Sequence, residues 1–167
     1  MRTIIQRVTR ARLHVLGNDS GRLHAEIGTG LVALVGIESN DTDDELAWTA
    51  RKITGLRIFE DGDGKMNRSL ADSVASRATE PVSGPPPGIL LVPNFTVAGR
   101  AHKGRRPDFT SAKHPDEAAP MFDRLVGLVR DLASREGCTV VSGVFGAHMH
   151  VDLVNDGPVT IWLDSNE

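Results

Sequence analysis

Two imidazoles and a carboxylate recur at alternate positions late in the chain: His148, His150 and Asp152. Alternate residues of a strand share a face, so the three would line up as ligands for a metal such as zinc. Met149, Val151 and Leu153 alternate with them, and the same alternation is the pattern of a half-buried strand with a solvated outer face. A second group is basic. Arg100, Lys103, Arg105 and Arg106 place four full positive charges within seven residues, with His102 among them. Such a patch can neutralise phosphates, and Pro93-Asn94-Phe95-Thr96 would be delivered beside it by a preceding strand. A third group, Asn155-Asp156-Gly157-Pro158, contains an Asp-Gly turn signal and reads as a hairpin turn between two strands. Its Gly-Pro bond is of the kind that tolerates a cis peptide. Nucleophilic and phosphate-loop chemistry find little support. There is no Gly-x-Ser-x-Gly elbow and no Walker or Rossmann glycine loop. Cys138 has no cationic neighbour in sequence and reads as a core thiol. Asp61-Gly62-Asp63-Gly64 lacks the glutamate that closes a calcium loop and reads as a plain turn.

These groups need a scaffold to place them. Thr3–Val15 is rich in β-branched residues and reads as a strand with a bend near Thr9-Arg10. The turn cluster at 17–21 leads it into a hairpin with Leu23–Ile27. Leu31–Ile37 is a continuous apolar run that suits a strand buried on both faces. Thr42-Asp43-Asp44-Glu45 is a capping box, and Leu46, Ala47, Ala50 and Ile53 carry a helical period to about Gly55. Leu56–Phe59 reads as a strand. Residues 73–88 are rich in Ser, Pro and Gly and read as a flexible inserted loop. Gly88–Val92 is a further strand. Pro115 suits the first position of a helix, whose stripe Met121, Leu125, Leu128, Val129 and Leu132 runs on toward Gly137. Thr139–Val144, His148–Val154 and Val159–Leu163 read as closing strands. Some eight strands and two main helices in mixed order point to an α/β or α+β fold with a curved, mostly antiparallel sheet.

Composition narrows the function classes. A chain of 167 residues reads as one domain spanning 1–167. With one cysteine it forms no internal disulfide and no cysteine-based zinc site. Apolar residues make up 40% and charged residues 25%, as in a soluble globular protein. No run of about 18 apolar residues suggests a membrane span, and a cytoplasmic location is expected. The net charge of −3 argues against a protein that is basic overall. Five Phe, two Trp and no Tyr argue against a base-stacking surface.

The residues also resemble a known family, in order along nearly the whole chain. Ile5-Gln6-Arg7-Val8-Thr9-Arg10-Ala11, Leu56–Phe59 with Gly64-Lys65-Met66-Asn67, and Asn94-Phe95-Thr96 resemble blocks of the D-aminoacyl-tRNA deacylases. So do Gly104-Arg105-Arg106-Pro107, Gly143–Met149 and Leu153–Thr160. Residues 73–88 fall outside the resemblance. It implies an α/β, barrel-like fold and a cytoplasmic homodimer with active sites at the interface, without metal or other cofactor. The implied activity is hydrolysis of the ester of D-aminoacyl-tRNA, and of glycyl-tRNA mischarged on tRNA-Ala, as chiral proofreading. Gly157-Pro158 resembles the Gly-cisPro pair that enters the partner's site and excludes L side chains by steric rejection. Arg7 resembles the arginine that holds this loop across the dimer. Thr96 matches the threonine of a Ser-Gln-x-Thr motif, and the Phe95 N–H would face the scissile carbonyl as an oxyanion donor. Chemistry in the family is attributed largely to the 2′-hydroxyl of the terminal adenosine. Met149 and Gln6 would line the adenosine and substrate pocket, and Lys103, Arg105 and Arg106 would contact tRNA. The motif's Ser-Gln is Pro93-Asn94 here. Proline at this point resembles the animal-type tRNA deacylases, whose substrate preference is shifted. The alternatives are that paralogue, a metal hydrolase using His148, His150 and Asp152, and a non-catalytic RNA-binding dimer.

Overall fold

The computed structural model describes every residue except 18–20, 77–83, 103 and 135–136. Its spine is β1 (Arg2–Val15). Along one edge β1 pairs antiparallel with β8 (Met149–Asp164) over its whole length. Along the other edge its first half pairs antiparallel with β3 (Gly30–Gly36) and its second half with β2 (Arg22–Ile27). β3 pairs parallel with β6 (Gly88–Pro93), and β6 parallel with β7 (Thr139–Ser142). A two-stranded hairpin, β4 (Phe59–Glu60) with β5 (Met66–Arg68), stands apart from this sheet.

The sheet has a core on each side. On one side Ile5, Leu31, Ala33, Ile89 and Leu91 pack against helix α1 (Asp43–Gly55) and helix α3 (Pro115–Ser134). On the other, Val8, Ala11, Leu13, Ile27, Val32, Leu90 and Val92 meet within the curl of the sheet, joined by Met149, Val151 and Leu153. β3 and β6 therefore bury both faces, which is why they read as unbroken apolar runs. Burying each such Leu, Ile or Val side chain stabilises the fold by about 1.5–3 kcal/mol. Gly30 and Gly88 face one another where β3 and β6 begin. A Cβ on Gly30 would fall 1.8 Å from the Gly88 carbonyl oxygen, so no side chain is possible there.

The capping box of α1 forms as read: the Thr42 hydroxyl accepts from the Asp44 N–H, and Glu45 accepts from the Thr42 N–H at 2.7 Å. The Thr42 hydroxyl, then its N–H, hold the Glu45 carboxyl below its ordinary range. The α/β class, the curl and the mostly antiparallel pairing agree with expectation, and the bend near Thr9 appears as a register shift between Val8 and Arg10.

Four expectations are corrected. The segment from 73 is not all loop. Leu70–Ser76 forms a third helix, α2, capped by Ser69, whose N–H and hydroxyl donate to Asp72 while Asp72 N–H returns to the hydroxyl. Leu56–Ile58 are not strand: Leu56 caps the end of α1 through its N–H to the Lys52 carbonyl. β7 stops at Ser142, one hydrogen bond short of its last link to β6 (Gly143 N–H to the Leu91 carbonyl, 2.8 Å), and a Cβ on Gly143 would lie 2.9 Å from the Met149 sulfur. The last two strands are one, because β1 pairs with both segments in a single direction. The central residues of the 17–21 turn, and 77–83 of the expected loop, lie outside the described residues.

Candidate active site

Asn94, Phe95 and Thr96 stand where β6 leaves the sheet. After Pro93 the chain turns into a short 3-10 helix, Phe95–Ala98. Asn94 caps it: its Oδ1 accepts from the Thr96 N–H at 3.1 Å and from the Thr96 hydroxyl at 2.5 Å. The Asn94 N–H is anchored on the Val35 carbonyl of β3. The first N–H of a helix has no partner within the helix, and among the described residues nothing accepts from the Phe95 N–H. The Phe95 ring is 59% exposed and meets the edge of Phe109 with centroids 5.2 Å apart.

Phe95 is one wall of an apolar cavity of about 430 Å³. Pro93, Phe109 and Phe145 form further walls, and Lys113 and His114 supply polar edges. Lys113 is fixed by its N–H to the Ile37 carbonyl and its Nζ to the Ser39 carbonyl, each 2.9 Å. Phe109, Lys113, His114 and the cavity role of Phe145 are absent from the sequence reading. An exposed phenylalanine in a polar stretch of an aromatic-poor chain was the signal available for Phe109. Met149 does not form a cavity wall. Its sulfur accepts from the Val144 N–H at 3.4 Å and steadies the loop that carries Phe145. Gln6 is also outside the cavity, bonded to the Thr160 hydroxyl at 3.3 Å on the sheet surface.

The basic segment precedes Phe109, a wall of this cavity, in the chain. Arg100 and Asp108 close it with two reciprocal backbone hydrogen bonds of 2.8 Å. Asp108 is set by the Thr110 N–H and then the Thr110 hydroxyl, which hold its carboxyl below the ordinary range. Arg105 and Arg106 are exposed, and no ion pair among the described residues engages them. Lys103 lies outside the described residues.

Gly157-Pro158 does not form a hairpin turn. Gln6 pairs with Thr160 and Val8 with Asn155, so Asp156–Val159 leave the ladder as a bulge while β8 continues beyond it. The Gly157-Pro158 peptide is cis, and both residues are exposed. Gly157 has φ of +125°, and a Cβ there would lie 2.8 Å from the Val159 nitrogen. Arg7, 5% exposed, grips the bulge. Its Nε reaches the Asp156 carboxylate at 3.0 Å and carbonyl at 3.3 Å, and NH1 donates to the Ile58 carbonyl at 2.6 Å. Glu60 is 3.8 Å from NH2. These holds are made within the chain.

The metal alternative loses its geometry. His148 and His150 are exposed, their rings edge to face at 5.6 Å. Asp152 is paired with Arg10 at 3.5 Å. Among the described residues no group of three His, Cys, Asp or Glu side chains is placed to hold a metal ion. Cys138 is buried, as expected of a core thiol.

With this arrangement in view, the comparison with known proteins is decisive. The family described as D-Tyr-tRNA(Tyr) deacylase matches residues 4–164. The chain belongs to the D-Tyr-tRNA(Tyr) deacylase family. The D-aminoacyl-tRNA deacylase of Chlorobaculum tepidum is 48% identical over 165 residues, covering 99% of this chain and 97% of that one. The D-aminoacyl-tRNA deacylase of Thermotoga petrophila is 42% identical over 167 residues, covering 100% and 99%. Among solved structures, one described as c-Myc DNA Unwinding Element Binding Protein superposes with a TM-score of 0.82 at 36% identity, covering 98% of each chain. The family match takes in β1, the Asn94–Ala98 turn, the cavity and the bulge of β8.

Proposed function

We propose that this chain hydrolyses the ester joining a D-amino acid to the 3′ end of tRNA, and acts likewise on glycyl-tRNA. The observation that carries this is the end-to-end match to D-aminoacyl-tRNA deacylases. The cavity beside Phe95 is of a size and apolarity suited to a small ligand group, and in this reading it takes the terminal adenosine. The unpartnered Phe95 N–H faces the ester carbonyl. Water adds to that carbonyl, and the oxyanion that develops is met by a fixed peptide donor. The C–O bond to the ribose then breaks, leaving a free amino acid and a tRNA hydroxyl. No side-chain nucleophile is needed when the adjacent 2′-hydroxyl assists. Thr96 and Asn94 hold the turn that presents the N–H, so their part is positional.

Chiral selection falls to Gly157 and Pro158. Their exposure on a bulge leaving the sheet supports insertion into the site of a second copy, in a homodimer. A backbone wall there rejects an L side chain and spares glycine, which has none. Arg105, Arg106 and Lys103 form the tRNA contact. No helix of the described residues is long and apolar enough to cross a membrane, and we place the enzyme in the cytoplasm with its substrate. Purified protein incubated with D-tyrosyl-tRNA and L-tyrosyl-tRNA, with and without chelator, tests the reading. Release of D-tyrosine alone, undiminished by chelator, is expected. Tight tRNA binding without release would make it an RNA-binding dimer instead.

A further inference from the structure

Arg7 is not the only group that holds the Asp156–Val159 bulge. Asn155 stands at its first lip, part-buried, opposite Val8. Its Nδ2 donates to two backbone carbonyls: Arg7 at 3.3 Å and Val159 at 3.0 Å. In a regular ladder Arg7 would face a residue of β8, but the pairs Gln6–Thr160 and Val8–Asn155 leave neither Arg7 nor Val159 a residue opposite. One amide group supplies donors to both carbonyls. A hydroxyl offers one donor and a carboxylate none. The two holds differ in what they fix. The Arg7 side chain ties Asp156 to the body of the protein through the Ile58 carbonyl. The Asn155 amide ties the two lips of the bulge across its base.

We propose that Asn155 is a positioning residue for chiral selection: by closing the base of the bulge it sets where Gly157 and Pro158 stand. This rests on reading Gly157-Pro158 as the element that discriminates D from L. The test compares Asn155→Asp and Asn155→Ala with Gly157→Ala, in the full chain, on D-tyrosyl-tRNA and L-tyrosyl-tRNA. Aspartate keeps the shape but turns a carboxylate toward two carbonyl oxygens; alanine removes both donors. The D-over-L rate ratio is expected to fall about tenfold or more in both Asn155 variants, through a rise in L hydrolysis. Equal loss of both rates with the ratio unchanged would overturn the proposal and leave Asn155 a support of the fold. Should either variant fail to fold, Asn155→Ser keeps one donor and is read by the same ratio. An unchanged ratio in Gly157→Ala would overturn the reading of the bulge itself. A changed ratio there, with none in the Asn155 series, would overturn the role of Asn155 alone.

Discussion

At the level of single residues, Arg7 carries the heaviest duty. A guanidinium this deeply enclosed must have its charge and its donors matched, and it has a carbonyl at 2.6 Å and a carboxylate at 3.0 Å. Arg7→Met leaves the Ile58 carbonyl without a donor and frees Asp156. We expect a loss of about 1–3 kcal/mol, a fall in Tm of roughly 2–12 °C, together with increased hydrolysis of L-aminoacyl-tRNA. Calorimetry and the paired hydrolysis assay check the two effects. Arg7 was legible in the sequence through the block Ile5–Ala11, but its partners were not. Ile58 and Asp156 lie 51 and 149 positions away, and nothing local links them to it. Phe95 was legible only by resemblance, because a backbone N–H leaves no signature in residue type. The surroundings of Met149 and Gln6 were equally hidden, since the Met149 sulfur meets the Val144 N–H and the Gln6 amide meets the Thr160 hydroxyl through tertiary packing.

At the level of elements, local rules succeeded where local interactions decide. The capping box at Thr42 and the first helical position at Pro115 are both seen where the sequence puts them. The capped turn Ser69–Asp72 was equally local, but the Ser/Pro/Gly content that follows masked it. The bulge of β8 was misread for a different reason. Asp-Gly favours a chain reversal, yet β1 is long enough to pair with both flanking segments, and that pairing keeps the strand running on. The segment between Arg100 and Asp108 belongs to this scale too. Charge reversal at Arg105 and Arg106 should weaken tRNA binding on every sequence and lower its salt slope by about one unit for each phosphate no longer neutralised. Filter-binding titrations at several salt concentrations measure both, and an unchanged slope would reduce the segment to a solvated surface.

At the level of the whole molecule, the chain is net acidic, tyrosine-free and carries a single cysteine. That poverty of reactive groups suits a site built from peptide groups, an apolar cavity and a small basic segment. Acid response belongs to the same scale. The Asp61 carboxyl is held below its ordinary range by the Lys65 and Asp63 N–H groups. Asp72 is held there by the Ser69 N–H and then its hydroxyl. For Asp164, burial pushes upward, but the Asn166 N–H, Arg2 and the Asn166 amide outweigh it. Carboxyls lowered on folding stabilise the fold above their unfolded pKa and lose that contribution as pH falls through the folded values. Tm should therefore be flat above about pH 5 and decline below about pH 4; a flat profile down to about pH 2 would show that these hydrogen bonds contribute nothing. The most direct measurement is single-turnover deacylation of D-tyrosyl-tRNA beside L-tyrosyl-tRNA. Rapid release of D-tyrosine with the L ester left intact is expected, and equal hydrolysis of the two, or of neither, would contradict a D-selective deacylase.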